Sequence, residues 1–266
     1  LLLLKKYKAG GFVIETTFSF AFFAESSEET NCAWMAGKVD DATGEIQLQV
    51  FNLAKIAIDS KDNVTIELLA QENEENLNFI AIHILGLLSQ KHQRFPLHAT
   101  AILHEEKAIL FTGLSGSGKS TCVKLLAEKG FTIIADEMAP LLSQNNTTYL
   151  LPACQAVYVA PLNSTEHKKW ISIQHKINTE AIPVKSIYHL QFGNETATIQ
   201  NLSSLNAVRV LQENHFKPFI KWDKESNLMR YNLCTEIIKN CSLKVFSREK
   251  NINFIEEAMN LLIKDL

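Results

Sequence analysis

Apolar and polar residues alternate with a short period over the first quarter of the chain, then switch to helical spacing. Residues 11–18, 47–51, 54–58 and 64–69 are rich in apolar and β-branched side chains and partly alternate, which predicts strands. Turn-forming runs, Asp40-Asp41-Ala42-Thr43-Gly44 and Ser60-Lys61-Asp62-Asn63, separate them. After a polar stretch, Phe79, Ile80, His83, Ile84, Leu87 and Leu88 share one face at helical spacing and predict a helix over 77–90. A basic connector over 91–95 follows, which Pro96 is expected to end. This β-rich segment, 1–95, reads as one region and 96–266 as another.

From Leu97 onward the two periods alternate, the pattern of an α/β fold. Strands are expected over 99–103 and 108–111, joined by His104-Glu105-Glu106-Lys107. A helix over 121–129 should stop at Gly130, a residue suited to the left-handed position after a helix. An apolar strand over 131–135 then runs into Asp136-Glu137. Further strands are read at 147–151, 156–159, 185–192, 196–201 and 243–247. Helices are read from a Ser203 cap to about Phe216, over 227–240, and after Asn253, which with Glu256 resembles a capping box. There are no internal repeats and no low-complexity tract.

The most specific chemistry lies between the strand ending at Phe111 and the helix opening at Thr121. Gly113-Leu114-Ser115-Gly116-Ser117-Gly118-Lys119-Ser120 fits G-x-x-x-x-G-K-[ST], a phosphate-binding loop. Its glycines let the backbone wrap so that several N–H groups converge on one anion. The following helix adds a partial positive charge. Residues 113–120 with Thr121 form the expected nucleotide cradle, Lys119 reaching the outer phosphates and the Ser120 hydroxyl facing a magnesium ion. An acid at the end of a neighbouring strand is what such a site requires, so Asp136 is the expected second metal ligand. Glu137 is placed to act as general base towards an attacking hydroxyl. His98, at the start of a strand expected beside the loop strand, is a candidate for the same site.

Composition narrows the classes. Apolar residues make up 46% of the chain, enough for a core, and the net charge of −3 with no long basic block argues against nucleic-acid binding. Cys32, Cys122, Cys154, Cys234 and Cys241 form no C-x-x-C pair, which fits buried free thiols in a reducing cytoplasm. Cys122, just inside the loop helix, is a candidate for a lowered thiol pKa or for packing alone. The leading leucines followed by Lys5-Lys6 are too short an apolar run for a signal segment. No stretch is long and apolar enough for a membrane span, so the expectation is a cytoplasmic protein without a membrane partner.

Leu97-His98-Ala99-Thr100-Ala101, the loop through Thr121, Gly130 and Ile134-Ala135-Asp136-Glu137 together resemble the HPr kinase/phosphorylase family. The likeness is greatest to its shorter relatives, including those that phosphorylate lasso-peptide precursors. It is softer from Ile187-Tyr188-His189-Leu190 to Phe216, and one of pattern only in the N-terminal segment. The resemblance implies an α/β kinase core over 96–266 like that of bacterial phosphoenolpyruvate carboxykinase, using ATP and magnesium. It implies that His98, Lys119 and Glu137 are catalytic and that Ser120 and Asp136 hold the metal. The acceptor it implies is a serine of a peptide or protein. Homo-oligomers occur among the larger relatives, so self-association stays open.

Three departures shape that expectation. The second acid is Glu137 where relatives have Asp, and one extra methylene displaces the carboxylate by about 1.5 Å unless the backbone compensates. The Arg-Gly-Leu-Gly-like stretch after Leu151 and the arginine-bearing loop tied to the reverse reaction are both missing. HPr as substrate and phosphorolysis are therefore not expected. A small hydroxyl compound as acceptor, or a nucleotide-binding sensor or scaffold with little turnover, are the competing readings. Nucleoside monophosphate kinases fit poorly, because the loop lies far from the start of the chain and the arginines are only Arg94, Arg209, Arg230 and Arg248. No N-K-x-D or L-S-G-G-Q motif is present. Trp170 beside His167, Lys168 and Lys169 could contact an acidic partner but reads first as a solvated basic face, and the mixed run over 217–224 could dock a peptide or form amphipathic helix surface.

Overall fold

A computed structural model describes residues 5–9, 12–16, 35–40, 43–50, 52–152, 156–159, 169–172, 180–193, 196–216, 224–250 and 255–266. The period-two pattern of the N-terminal region becomes antiparallel sheet. Strands β1 (Lys5–Ala9) and β2 (Phe12–Thr16) form a hairpin. Strands β3 (Met35–Val39), β4 (Ile46–Val50), β5 (Ala54–Ile58) and β6 (Val64–Leu68) form a four-stranded meander. In β5, Ala54, Ile56 and Ile58 are buried while Lys55 and Ala57 face water, as alternation requires.

Helix α1 (Glu74–Lys91) lies on that apolar face. It starts a turn earlier than hydrophobic spacing predicts, because the Asn73 side chain accepts the Asn76 N–H at 2.8 Å and caps it. Ile80, Ala81, Ile82, Ile84, Leu85, Leu87 and Leu88 are all buried, so the helix is covered on more than one side. Its core with Ile46, Leu48, Ile56 and Ile58 also takes in Met138 and Phe216 from the second half of the chain.

The second half builds a mixed nine-stranded sheet. Its main path runs β10 (Thr132–Ala135), β8 (Ala99–His104), β9 (Lys107–Thr112), β15 (Ile182–Phe192), β12 (Thr147–Leu150), β11 (Ala139–Gln144), β7 (Phe95–Leu97). β15 is long and changes partner along one edge. Ile182 and Pro183 pair with β12, and residues 186–192 pair in parallel with β17 (Ser242–Arg248), which carries β16 (Thr198–Asn201). A separate hairpin joins β13 (Ala156–Val159) to β14 (Lys169–Ser172).

Helices cover both faces of the large sheet. α2 (Lys119–Glu128) and α5 (Ile255–Asp265) bury Cys122, Val123, Leu126, Met259 and Leu262 against Ile109, Phe111, Tyr188 and Phe246. α3 (Ser204–Glu213) and α4 (Lys224–Asn240) bury Ala207, Leu211, Cys234 and Ile237 against Leu110, Ile187 and Leu243. The α/β class expected from the sequence is the class the chain adopts.

Several local expectations need correcting. Pro96 does not end a connector; it lies inside β7, the last strand of the main path, directly opposite Pro140 of β11. Proline lacks a ladder donor, so both strands are hidden from propensity; β7 carries its proline at the end of the main path, whereas Pro140 lies inside the sheet, on β11 between β12 and β7. The helix from Ser203 stops at Glu213 rather than Phe216, and Ser203 makes no side-chain cap bond. The chain leaves it to pair with β7: the Phe216 N–H donates to the Pro96 carbonyl at 2.7 Å. Asn253, Cys32, Cys154, His167, Lys168 and residues 217–223 lie outside the described residues. Cys122, Cys234 and Cys241 are buried free thiols. Among the described residues, no helix is long and apolar enough to cross a membrane.

Candidate active site

β9 and β15 run parallel, as do β15 and β17, so their carboxyl ends share one edge of the sheet. β8 is antiparallel to both β9 and β10, so β10 also ends at that edge, and β8 begins there. Topology alone therefore brings together the loop after Thr112, the acids after Ala135 and His98 ahead of Ala99.

The loop needs its glycines. Gly113 has φ +149°, and a Cβ there would lie 2.7 Å from both the Leu190 carbonyl oxygen and Ser117 Oγ. Gly118 caps α2 in the left-handed region at φ +90°. Between them, the Ser117 N–H donates to the Leu114 carbonyl at 3.0 Å, closing the turn. Lys119 is buried and folds back across the loop, its Nζ donating to the Gly113 carbonyl at 2.8 Å and the Leu114 carbonyl at 3.4 Å. Leu114, Ser115 and Gly116 are exposed at the tip, whereas Ser120 and Thr121 sit partly covered on the first helical turn. That turn contains no acidic residue, so nothing there offsets the positive end of the helix.

Asp136 is fully buried. The Met138 N–H donates to the Asp136 carbonyl at 2.7 Å, closing a three-residue turn with Glu137 at its centre and φ +61°. A positive φ at the centre of such a turn is rare and strained. Burial of Met138 in the α1 core anchors its far side. The extra methylene of Glu137 is thus accompanied by a turned backbone.

His98 is tied from three directions. Its N–H donates to the Asn214 carbonyl at 2.8 Å, and its own carbonyl accepts Thr112 Oγ1 at 2.8 Å. Its Nδ1 donates to the Glu137 carbonyl at 2.8 Å and lies 3.7 Å from Glu137 Oε2. A carbonyl can only accept, so His98 Nδ1 carries a proton. The side chains of His98 and Glu137 are 27% and 26% exposed, open enough to meet a substrate.

Two residues that motif reading passed over lie at this edge. Arg248, at the end of β17, is buried, and its Nη2 donates to the Ser117 carbonyl at 3.3 Å. His189 of β15 pairs with Thr112, in the fields of Glu213, Arg209 and Lys119, and burial lowers its pKa. Arg248 closes an apolar strand, the only signal that could have marked it. Cys122 is not an activated thiol: burial pushes it up to about 12, and its Sγ lies 3.9 Å from Met259 Sδ.

Among the described residues, no cluster of three or more His, Cys, Asp or Glu side chains could hold a metal. A hydroxyl and a carboxylate, Ser120 and Asp136, are nonetheless the hard oxygen donors magnesium accepts alongside phosphates and water. The donor set therefore fits that ion when a polyphosphate supplies the rest.

Fold and loop together define an α/β protein with a phosphate-loop motif at the carboxyl edge of a mixed sheet. No family model and no curated protein matches the chain. Among solved structures, an HPr(Ser) kinase/phosphatase from Coxiella burnetii is similar at 11% identity and a TM-score of 0.36, over 64% of this chain and 89% of that one.

Proposed function

We propose that this chain is an ATP-dependent kinase that transfers the γ-phosphoryl group to a hydroxyl, that of a serine in a peptide or protein. The observation that carries this reading is the shared sheet edge, where a glycine-built loop with a buried lysine lies beside a hydrogen-bonded His98–Glu137 pair. Loop amides and Lys119 grip the polyphosphate. Ser120 and Asp136 hold magnesium, which supplies charge neutralisation at the outer phosphates. The Glu137 carboxylate or His98 Nε2 takes the proton of the acceptor hydroxyl. Its oxygen forms a bond to the γ-phosphorus as the bond to the β-phosphate bridging oxygen breaks, and ADP leaves. Little covalent chemistry falls to the protein, so positioning and charge supply the acceleration.

Purified protein incubated with labelled ATP, magnesium and serine peptides tests this directly. Lys119→Ala is expected to lower transfer by at least about a hundredfold, the scale of losing one charged stabiliser of the transition state. Glu137→Gln is expected to lower transfer while leaving ATP affinity within about threefold. Label transfer that survives both substitutions rules this site out. ADP release with small alcohols but with no peptide would move the acceptor to a small hydroxyl compound.

A further inference from the structure

Arg248 occupies a position that the proposed phosphate chemistry does not yet use. Its guanidinium is buried, stacked 4.6 Å from the centre of the Phe192 ring, and pressed against Gly118, where a Cβ would collide with Nη2. Nη2 donates to the Ser117 carbonyl at 3.3 Å and Nη1 to the Glu249 carbonyl at 3.4 Å. Among the described residues no carboxylate forms an ion pair with it. Burying a cation is costly unless an anion compensates it, and two carbonyl oxygens and a ring face compensate only in part. Burial indeed disfavours its charged form.

The Ser117 carbonyl and the Gly118 N–H belong to one trans peptide plane, so they point in opposite directions. A guanidinium that grips the carbonyl from behind therefore aims the Gly118 N–H away from itself, into the loop. It also places a full positive charge one peptide thickness from whatever anion that N–H meets.

We infer that Arg248 is a positioning residue for the phosphate loop: from behind, it orients the Gly118 amide and adds positive charge for a bound polyphosphate. The inference rests on the loop's proposed role as a nucleotide site. It gives β17, the strand farthest along the chain, a part in the site. It also explains why position 118 excludes any side chain: the guanidinium already fills that space.

Inorganic tripolyphosphate is the appropriate probe, because it isolates the phosphate grip from any base contact. Calorimetry on the wild type, Arg248→Lys and Arg248→Gln would be paired with melting curves of each without ligand. Expected are about tenfold weaker tripolyphosphate binding for Arg248→Gln, a smaller loss for Arg248→Lys, and a shallower dependence on ionic strength for the glutamine variant. A lowered melting temperature with unchanged tripolyphosphate affinity would overturn the inference and leave a purely structural arginine. Wild type that fails to bind tripolyphosphate or ATP would instead overturn the nucleotide reading and the inference with it. If Arg248→Gln does not fold, guanidinium nitrogen resonances of the wild type decide. Only four arginines are present, and Arg248→Lys assigns the signal. A saturable shift of the Arg248 signal on adding tripolyphosphate supports the inference, and no shift while calorimetry records binding overturns it.

Discussion

His83 shows how far one residue's environment can move it from its ordinary chemistry. Its ring lies between Phe79 and Phe216, at 4.8 and 4.7 Å between centroids, and Nδ1 donates to the Phe79 carbonyl at 2.7 Å. Burial pushes its pKa down to about 3, with the nearby His98 acting in the same direction. In the unfolded chain a histidine takes its proton near pH 6.5. As pH falls from about 6.5 towards 3, the unfolded state therefore binds a proton that the folded state refuses, and stability declines through that window. Urea midpoints measured across it should fall less steeply for His83→Gln than for the wild type; parallel curves would remove His83 as the cause. Hydrophobic spacing put this histidine on one apolar face of α1 with Phe79, but His83 is only partly buried and Phe79 is exposed, and spacing could not show that two rings would flank the imidazole.

Two hairpins of the large sheet make the same kind of turn with different chemistry. Asn145 and Asn146, between β11 and β12, have φ +51° and +57°, values asparagine tolerates. Glu105 and Glu106, between β8 and β9, have φ +48° and +61°, and glutamate pays more strain there. Glu105 pairs with Lys185 at 3.6 Å on the surface, a contact worth little. Replacing Glu105-Glu106 by Asn-Gly is expected to stabilise the chain by about 1 kcal/mol, raising the melting temperature by about 2 °C. Calorimetric scanning would check it, and a lower melting temperature would contradict it. Strand existence was legible at both hairpins of this sheet where apolar runs were clean, as in β8, β9 and β12. β7 and β11 were not, because each carries a proline, which counts against a strand in any reading by propensity.

Across the whole molecule, the N-terminal region and the candidate site are joined through α1. Phe216, which hydrogen-bonds to β7, packs onto α1 at Gly86, where a Cβ would lie 2.8 Å from its ring. Met138, next to Glu137, is buried in the same core. Gly86→Ala should improve intrinsic helix propensity by about 1 kcal/mol, yet overpacking against Phe216 is expected to cost about 1–3 kcal/mol. The net prediction is a modest loss of stability together with reduced phosphotransfer, measured by urea unfolding and the labelled-ATP assay on one preparation. A more stable, fully active variant would show that this contact does not set the site. Met138 and Phe216 thus tie the core of α1, β4 and β5 to the turn that carries Glu137 and to β7.

The phosphate loop and its flanking strand and helix were determined locally, since glycine spacing and apolar runs act over a few residues and need no partner. The acids after Ala135 were readable for the same reason: they close a short buried strand. Tertiary structure alone decided that the sheet's mixed strand directions bring His98 to Glu137 and that Glu137 sits at a positive φ. It alone carried Arg248 to the back of Gly118. Those contacts join residues distant in the chain, and their partners are chosen by strand pairing and by the space left between packed layers. No local spacing encodes either.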